Sequence, residues 1–114
     1  MRSFRVNKYR NKKMRIGDRT FASQKEGKWY LIFKSQKDDG LIDDFECQVK
    51  YELIPKTDKF RGVSYFADFV VRQNDYSYSK KVYDIKSPIT RKNPVYIIKK
   101  KLMYWRLGLE ITEI

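Results

Sequence analysis

Hydrophobic and polar residues alternate strictly over residues 44–53. The apolar positions are Phe45, Cys47, Val49, Tyr51 and Leu53, and the polar positions between them are Asp44, Glu46, Gln48, Lys50 and Glu52. Because successive side chains of a strand point to opposite faces, this pattern predicts a long strand with one buried face. Cys47 falls on the apolar face, which favours a buried structural thiol over a nucleophile.

Two further strands are predicted at residues 66–71 and 82–86, which are rich in aromatic and β-branched residues. Residues 73–79 between them have the polar composition of a hairpin loop. If the hairpin is symmetric about Tyr76, facing residues have numbers that sum to 152, and Asp68 then faces Asp84. Two carboxylates in such a pair, with Cβ atoms roughly 5 Å apart, destabilise a sheet unless one is protonated or a cation lies between them.

The alternation of strand side chains places Lys86 on the same face as Asp84, one step along the strand. Two acids and an ammonium group on one sheet face are typical of a chemical site. A plainer interpretation is also open, in which Asp84 and Lys86 belong to the solvated face of a strand.

A helix is predicted to begin at Ser23, because the segment 23–26 fits a capping box in which Glu26 reaches back to the cap. Its apolar face comprises Trp29, Tyr30, Ile32 and Phe33. Glu26 lies on or beside this face, so it has two possible roles: it caps the helix, or it reaches the acids on the sheet. Asp38, Asp39, Asp43 and Asp44 do not have the spacing of a calcium loop and are interpreted as solvated charges.

A second helix is predicted from Asn93-Pro94 to Gly108, since a capping side chain followed by proline starts a helix and glycine ends one. Its apolar stripe, expected to face the core, comprises Val95, Ile98, Leu102 and Trp105. Residues 109–114 alternate again and end the chain as a strand. The predicted order is αβββαβ, and the strand that follows the second helix is expected to be parallel to its neighbour in a mixed sheet.

Composition limits the classes of function. The chain has 114 residues, enough for one domain with one modest core, and 26 Lys and Arg against 14 Asp and Glu give a net charge of +12. This excess favours a polyanionic partner, above all nucleic acid. We find no apolar run of membrane-spanning length, no signal peptide and no lipidation motif, so a soluble intracellular protein without a membrane partner is expected.

The chain also lacks the residues of several common catalytic and metal sites. A single cysteine excludes an internal disulfide and a Cys-rich zinc site, and the lack of histidine excludes Ser/His and Cys/His catalysis. The remaining polar groups, carboxylates above all, are the ligands of a hard cation such as Mg²⁺.

Residues 1–20 form a predicted basic arm, and residues 21–114 form the predicted domain. The arm contains Arg2, Arg5, Lys8, Arg10, Lys12, Lys13, Arg15 and Arg19. It either follows a phosphate backbone or is a mobile, solvated terminus, and the two interpretations are compatible. The candidate DNA-binding residues are Lys8, Arg10, Lys12, Lys13, Lys50, Lys99 and Lys101.

The element order, with Glu26 on the first helix, Asp68 on the second strand and Asp84-Ile85-Lys86 on the third, resembles the PD-(D/E)XK nuclease superfamily. More closely, the chain resembles a small family of phage-encoded proteins of uncharacterised function assigned to that superfamily. The segments that carry this likeness are 8–13, 21–26, 51–55, 65–69, 84–86, Tyr96 and 99–102.

The resemblance implies a restriction-endonuclease-like α/β fold and an Mg²⁺-dependent DNA endonuclease, with Mn²⁺ as a substitute and no small-molecule cofactor. Asp68, Asp84 and the backbone carbonyl of Ile85 would hold the metal. Lys86 would stabilise the attacking water or the developing charge, and Glu26 would orient a metal-bound water. Phage relatives further imply a homodimer that acts on branched DNA, as Holliday-junction resolvases do, in the cytoplasm of a host cell.

Two positions depart from the superfamily pattern, which has an acid before the Asp-x-Lys motif and a glycine after it. Tyr83 and Ser87 occupy these positions here. Tyr83 would point away from Asp84, so the pair of metal ligands is kept. The alternative function is that of a basic, non-catalytic DNA-binding phage protein with a nuclease-like fold.

Overall fold

Nine helices and strands form the part of the protein that the computed structural model describes, residues 12–73 and 79–114. They are β1 (Met14–Ile16), β2 (Arg19–Phe21), α1 (Gln24–Asp38), β3 (Ile42–Ile54), β4 (Val63–Gln73), β5 (Lys80–Asp84), α2 (Pro88–Arg91), α3 (Pro94–Leu107) and β6 (Ile111–Glu113).

A four-stranded mixed sheet in the order β3-β4-β5-β6 forms the centre of the fold. The first three strands are antiparallel, and β6 is parallel to β5 after the helical connection, as the sequence predicts. In the hairpin of β4 and β5, Phe69 faces Tyr83 and Val70 faces Val82, so the facing residues have numbers that sum to 152. The mixed α/β fold and the predicted hairpin register are therefore confirmed; residues 74–78 of its loop lie outside the described residues.

The helices cover opposite faces of the sheet. Phe33 of α1 packs with Phe69 and Val71 of β4 in one hydrophobic cluster. Val70, which lies between these two strand residues and points the other way, belongs to the cluster that contains Met103 of α3. The clusters are called the α1 layer and the α3 layer below. Cys47 is half-buried in the α1 layer, where burial raises the pKa of its thiol.

The helix boundaries follow from their capping residues. Ser23 Oγ accepts a hydrogen bond from Glu26 N at 3.1 Å, and Asn93 Oδ1 accepts from Val95 N at 2.9 Å. Gly108 ends α3 in the left-handed conformation with φ 68°, which glycine adopts without steric cost. These predicted caps are confirmed. The short helix α2, which begins after its cap Ser87, was not expected from the sequence.

The side of α3 that faces the sheet differs from the prediction. Val95 is 61 % exposed, Ile98 57 % and Trp105 80 %, whereas Tyr96 and Met103 are buried. Tyr96 and Met103 are seven residues apart and hence lie on one face of the helix. Tyr96 fills the core because its hydroxyl group finds a carboxylate partner there, in Glu113. Ile32 of α1, also predicted to be buried, is 40 % exposed.

The described part of the predicted arm contains the hairpin of β1 and β2, which contacts α1. A Cβ atom on Gly27 of α1 would lie 2.5 Å from the sulphur of Met14, so glycine permits this close approach. Strand β2 ends at Phe21 and thus crosses the predicted boundary between residues 20 and 21. Residues 1–11, including Lys8 and Arg10, lie outside the described residues. No helix among the described residues is long and apolar enough to span a membrane.

Candidate functional site

Acidic side chains from separate elements meet at the end of β5. Glu26 comes from the first turn of α1, Asp68 from β4 and Asp84 from the last position of β5. Lys86 lies two residues beyond β5, so the predicted third strand ends before it. The structure brings together the three acids and the lysine that the sequence predicts, through the contacts described next.

Asp84 is the most buried of these acids, with 1 % of its surface exposed. Its Oδ2 atom accepts a hydrogen bond of 2.5 Å from the hydroxyl group of Tyr65, and it lies 3.5 Å from Lys86 Nζ. The backbone is fixed as well, because Ile114 N donates to the carbonyl of Asp84 at 2.9 Å. The end of β6 thus holds the main chain of the site in place.

Asp68 is held by donors on both of its oxygens. The backbone N–H of Ile85 donates to Oδ2 at 2.8 Å, and the amide of Gln48 donates from Nε2 to Oδ1 at 3.0 Å. The same Gln48 nitrogen donates to Glu26 Oε1 at 3.1 Å. One neutral amide therefore links two carboxylates that would otherwise repel each other.

The electrostatics favour a protonated acid in this cluster when no cation is bound. Burial is the largest cause of a raised pKa at Asp84, followed by a hydrogen bond with Asp68 and the charge of Asp68. Tyr65 and Lys86 act in the opposite direction. Burial, followed by the charge of Asp68, also raises the pKa of Glu26.

Gln48 has an unusual backbone conformation for the interior of a strand, with φ 52°. Only a few per cent of residues other than glycine have positive φ, and such strain in a folded protein is concentrated at functional sites. The strand changes sides here: Phe45 and Cys47 pack in the α1 layer, whereas Val49 and Tyr51 pack in the α3 layer. Residues two apart in a regular strand share a face, so the change requires an irregular residue between them.

The facing strand makes the same change at Asp68. Phe69 packs in the α1 layer and Ala67 in the α3 layer. The pairing of Cys47 with Phe69 and of Val49 with Ala67 continues on both sides, so the register is preserved. Gln48 and Asp68 thus lie opposite each other at a paired irregularity.

Lys86 is oriented by a second set of contacts. Its Nζ atom lies 4.8 Å from the centroid of the Tyr96 ring, within the range of a cation–π interaction. Tyr96 donates a hydrogen bond of 2.7 Å to Glu113 Oε2, and Lys100 Nζ lies 3.3 Å from Glu113 Oε1. Burial, and next the hydrogen bond to Glu113, raise the pKa of Tyr96, so its hydroxyl group stays a donor at neutral pH.

Two clefts reach this cluster. The larger, of about 730 Å³, is lined by four cationic side chains, Lys12, Lys25, Lys86 and Arg91, among other residues. A smaller cleft of about 380 Å³ is lined by Glu26 and Gln48 together with Arg19. Lys86 connects the acids with the larger, basic cleft.

The candidate DNA-binding residues are distributed unevenly around the site. Lys12 lines the basic cleft, and Lys13 is exposed beside it in sequence. Lys50 lies on β3, 6.0 Å from the centroid of the Phe66 ring, and Lys101 lines a separate pocket between α3 and β6. Lys99 is on α3 as well. The structure instead adds Lys25 and Arg91 to the basic side chains of the cleft.

Four residues of the site were not among the predicted site residues: Gln48, Tyr65, Tyr96 and Glu113. Tyr65 and Tyr96 belong to the segments that carry the family resemblance, but strand alternation alone predicts Tyr65 as an ordinary core aromatic. Gln48 has a geometric signal, because residues 48 and 68 lie opposite each other once the β3–β4 register is known.

The same geometry limits the side chains that could hold a metal ion. Over residues 12–73 and 79–114, no group of three or more acidic or cysteine side chains is placed to hold a metal ion. The available oxygen ligands are those of the Asp68 and Asp84 pair; the Ile85 carbonyl stays a prediction.

A protein-family model matches residues 6–111 of the chain; its description is "Protein of unknown function (DUF1064)". No curated protein and no solved structure matches the chain significantly.

Proposed function

The chain belongs to the DUF1064 family of proteins of unknown function, and we propose that it is an Mg²⁺-dependent DNA endonuclease that hydrolyses phosphodiester bonds. The observation that carries this proposal is the convergence of Asp68, Asp84 and Lys86 beside a cleft lined by cationic side chains. Asp68 and Asp84-Ile85-Lys86 are the residues on which the resemblance to the PD-(D/E)XK pattern rests, and a relationship to that superfamily, in fold as in site, is part of the proposal.

The paired acids fit a divalent cation. Their oxygens are the hard ligands that Mg²⁺ prefers, and a cation between them would offset the repulsion that the charge of Asp68 exerts on the buried Asp84. The donors on Asp68 occupy one lone pair on each oxygen, and a carboxylate offers about four acceptor sites. Mn²⁺ would bind the same ligands.

Each residue then has a role in phosphodiester hydrolysis. When bound, the cation supplies a water of lowered pKa and neutralises charge on the scissile phosphate. Asp68 and Asp84 hold it, while Tyr65 and the Ile85 N–H orient their carboxylates. Lys86, which is partly exposed toward the basic cleft, stabilises the negative charge that develops on the phosphate. Glu26 orients a water through the oxygen that Gln48 does not occupy.

The substrate is proposed to be DNA because of the charge distribution. The net charge of +12 attracts a polyanion, and Lys12, Lys25 and Arg91 line the cleft next to Lys86. Preference for branched DNA, as in Holliday-junction resolution in phage DNA metabolism, is the finer part of the proposal. It requires two coordinated cuts and therefore two sites.

A non-catalytic DNA-binding protein with this fold is the second candidate. It is favoured by the finding that no cluster of three metal-binding side chains occurs among the described residues. The two functions differ in their dependence on a divalent cation, because DNA binding through phosphate contacts needs none.

The deciding experiment compares wild type with Asp84→Asn on linear, flapped and four-way DNA, with Mg²⁺ and with a chelator. Asp84→Asn is expected to abolish cleavage and to retain or strengthen binding in a gel-shift assay, since a negative charge near the DNA is lost. Asp58→Asn, in the exposed turn between β3 and β4, is the matched control. Normal cleavage by Asp84→Asn would exclude the assigned site, and binding without cleavage by wild type under all conditions would favour the non-catalytic function.

A further inference from the structure

Lys86 lies against a buried tyrosine that has no part in the proposed hydrolysis. Tyr96, in the first turn of α3, is 8 % exposed, and Lys86 Nζ lies 4.8 Å from the centroid of its ring. An ammonium group at this distance over an aromatic ring is attracted by the negative face of the ring. Among the described residues, Asp84 is the one acid in ion-pair contact with Lys86, at 3.5 Å. Lys86 is therefore held from two sides, by a carboxylate and by a ring.

We propose that Tyr96 is a positioning residue, whose ring holds the ammonium group of Lys86 toward the scissile phosphate. This role rests on the proposed function, in which Lys86 stabilises the negative charge that develops on the phosphate. Tyr96 acts through Lys86 and is not itself a catalytic residue. Glu113 and Lys100 belong to the same arrangement, because they fix the ring.

Lys86 needs a support other than Asp84. It lies beyond the end of β5, on a flexible side chain that is 26 % exposed. Asp84 is also a proposed ligand of the cation, so Lys86 and a bound cation would compete for the same carboxylate and would repel each other. The face of the Tyr96 ring carries no formal charge and stays available to Lys86 in either case.

The Tyr96 ring is itself fixed at both ends. Its hydroxyl group donates to Glu113 Oε2 at 2.7 Å, and Lys100 Nζ lies 3.3 Å from Glu113 Oε1. The backbone N–H of Tyr96 donates to Asn93 Oδ1 at 3.2 Å, in the cap of α3. A side chain that packing and hydrogen bonds lock in this way can hold a flexible neighbour in one position.

Glu113 belongs to the strand end that also fixes the main chain of the site. It pairs with Asp84 across β5 and β6. The next residue, Ile114, donates its N–H to the carbonyl of Asp84 at 2.9 Å and accepts a hydrogen bond from the N–H of Lys86 at 3.3 Å. The end of β6 thus holds the main chain of Lys86 directly and its side chain through Tyr96.

The alternative is a purely structural role, because Tyr96 also packs in the α3 layer. Tyr51 is the matched control: it is partly buried against the same layer, and it makes no cation–π contact within the described ranges. Tyr96→Leu and Tyr51→Leu both remove a ring from this layer, but only Tyr96→Leu removes the contact with Lys86. Thermal unfolding of both variants measures the structural cost that they share.

Nuclear magnetic resonance with isotope-labelled lysine tests the contact without DNA or a metal ion. In the wild type, the ring current of Tyr96 should shift the ε-methylene protons of Lys86 upfield, and Lys86→Arg identifies their signal by removing it. Tyr96→Leu should abolish this shift, whereas Tyr51→Leu and Tyr96→Phe should keep it. A Lys86 signal that Tyr96→Leu leaves in place would overturn the proposal.

Cleavage under single-turnover conditions tests the role in the reaction. Tyr96→Leu should slow cleavage about tenfold at unchanged DNA affinity, since the lost interaction acts on the reacting phosphate and not on binding. Tyr51→Leu should cleave at the wild-type rate. Tyr96→Phe keeps the ring but loses its hydrogen bond to Glu113, so its rate should lie between those of Tyr96→Leu and wild type. In a Lys86→Met background, Tyr96→Leu should cause no further loss, because Tyr96 acts only through Lys86.

The outcomes separate this role from the proposed function. A wild type that cleaves no DNA would refute the proposed function together with the role of Tyr96 in it. An active wild type, with Tyr96→Leu no slower than Tyr51→Leu, would overturn the positioning role alone. Additive losses from Tyr96→Leu and Lys86→Met would overturn it as well, since Tyr96 would then act without Lys86.

Discussion

Gln48 and Asp68 face each other across β3 and β4 at the one position where both strands exchange the layer into which their residues pack. The Gln48 amide reaches Asp68 and Glu26 from a backbone with positive φ. A strained conformation persists only where the surrounding structure fixes it. The strain here places a neutral donor between two acids.

Substitutions of Gln48 should separate strain from function. Gln48→Ala removes the amide but still places a residue with a Cβ atom in the left-handed backbone conformation. This conformation costs such a residue about 1–2 kcal/mol relative to glycine. Gln48→Gly removes the amide but relieves the strain. We expect Gln48→Gly to be the more stable variant in urea denaturation by about 1 kcal/mol, and both variants to lose most cleavage activity. Equal activity of Gln48→Gly and wild type would show that the amide has no role in the site.

Tyr65→Phe should weaken metal binding without disturbing the fold. The ring stays in the α3 layer, while Asp84 loses the hydroxyl donor to Oδ2. A hydrogen bond to a charged group contributes roughly 1.5–3 kcal/mol, so the affinity for Mg²⁺ should fall about tenfold or more, as measured by isothermal titration calorimetry. Tyr51→Phe is the matched control, since Tyr51 packs against the same layer. The assignment fails if the two variants bind Mg²⁺ alike.

The geometry of the acid pair was predictable, and the residues that support it were not. The register that brings Asp68 and Asp84 together follows from the sequence once the β4–β5 hairpin is assumed to be symmetric about Tyr76, and the pairing of Phe69 with Tyr83 confirms it. The conformation of Gln48 does not, because it depends on partners 20 and 22 residues away. The α3 stripe misled the prediction for a related reason: apolar spacing identifies an amphipathic helix but does not tell whether the sheet or another surface covers it.

Stability without a metal should fall as pH rises. The pKa of Asp84 is raised in the folded protein, so protonated Asp84 stabilises the fold fully below its unfolded pKa, about 3.9. This contribution is lost as pH increases through the raised folded value. In chelator, Asp84→Asn should therefore be more stable than wild type at alkaline pH, by on the order of 1–3 kcal/mol, and the difference should shrink at acidic pH.

Magnesium should reverse this trend in the wild type, because the cation binds the deprotonated acids and its affinity rises with pH. Urea denaturation at several pH values, with Mg²⁺ and with chelator, measures both effects. Glu26→Gln serves as a control for the second acid with a raised pKa. Two results together would contradict a cation site at Asp84. The first is a free energy of unfolding of the wild type that does not depend on Mg²⁺ at alkaline pH, and the second is a difference in stability between wild type and Asp84→Asn that does not change with pH.

The last prediction concerns the path of DNA along the basic cleft. Each phosphate contact that is lost should reduce the slope of log affinity against log salt by roughly 0.9 on duplex DNA. The double variant Lys25→Gln, Arg91→Gln should therefore lower the slope by about 1.8, and deletion of residues 2–13, which contain six basic residues, by more. The control is the double variant Lys56→Gln, Lys59→Gln, which removes the same amount of charge from the turn between β3 and β4. Neither residue lines the cleft, so this variant should change the slope little. Fluorescence anisotropy over a range of salt concentrations gives these slopes. Equal slopes for the cleft and turn variants would show that DNA does not follow the cleft, because net charge alone would then account for binding.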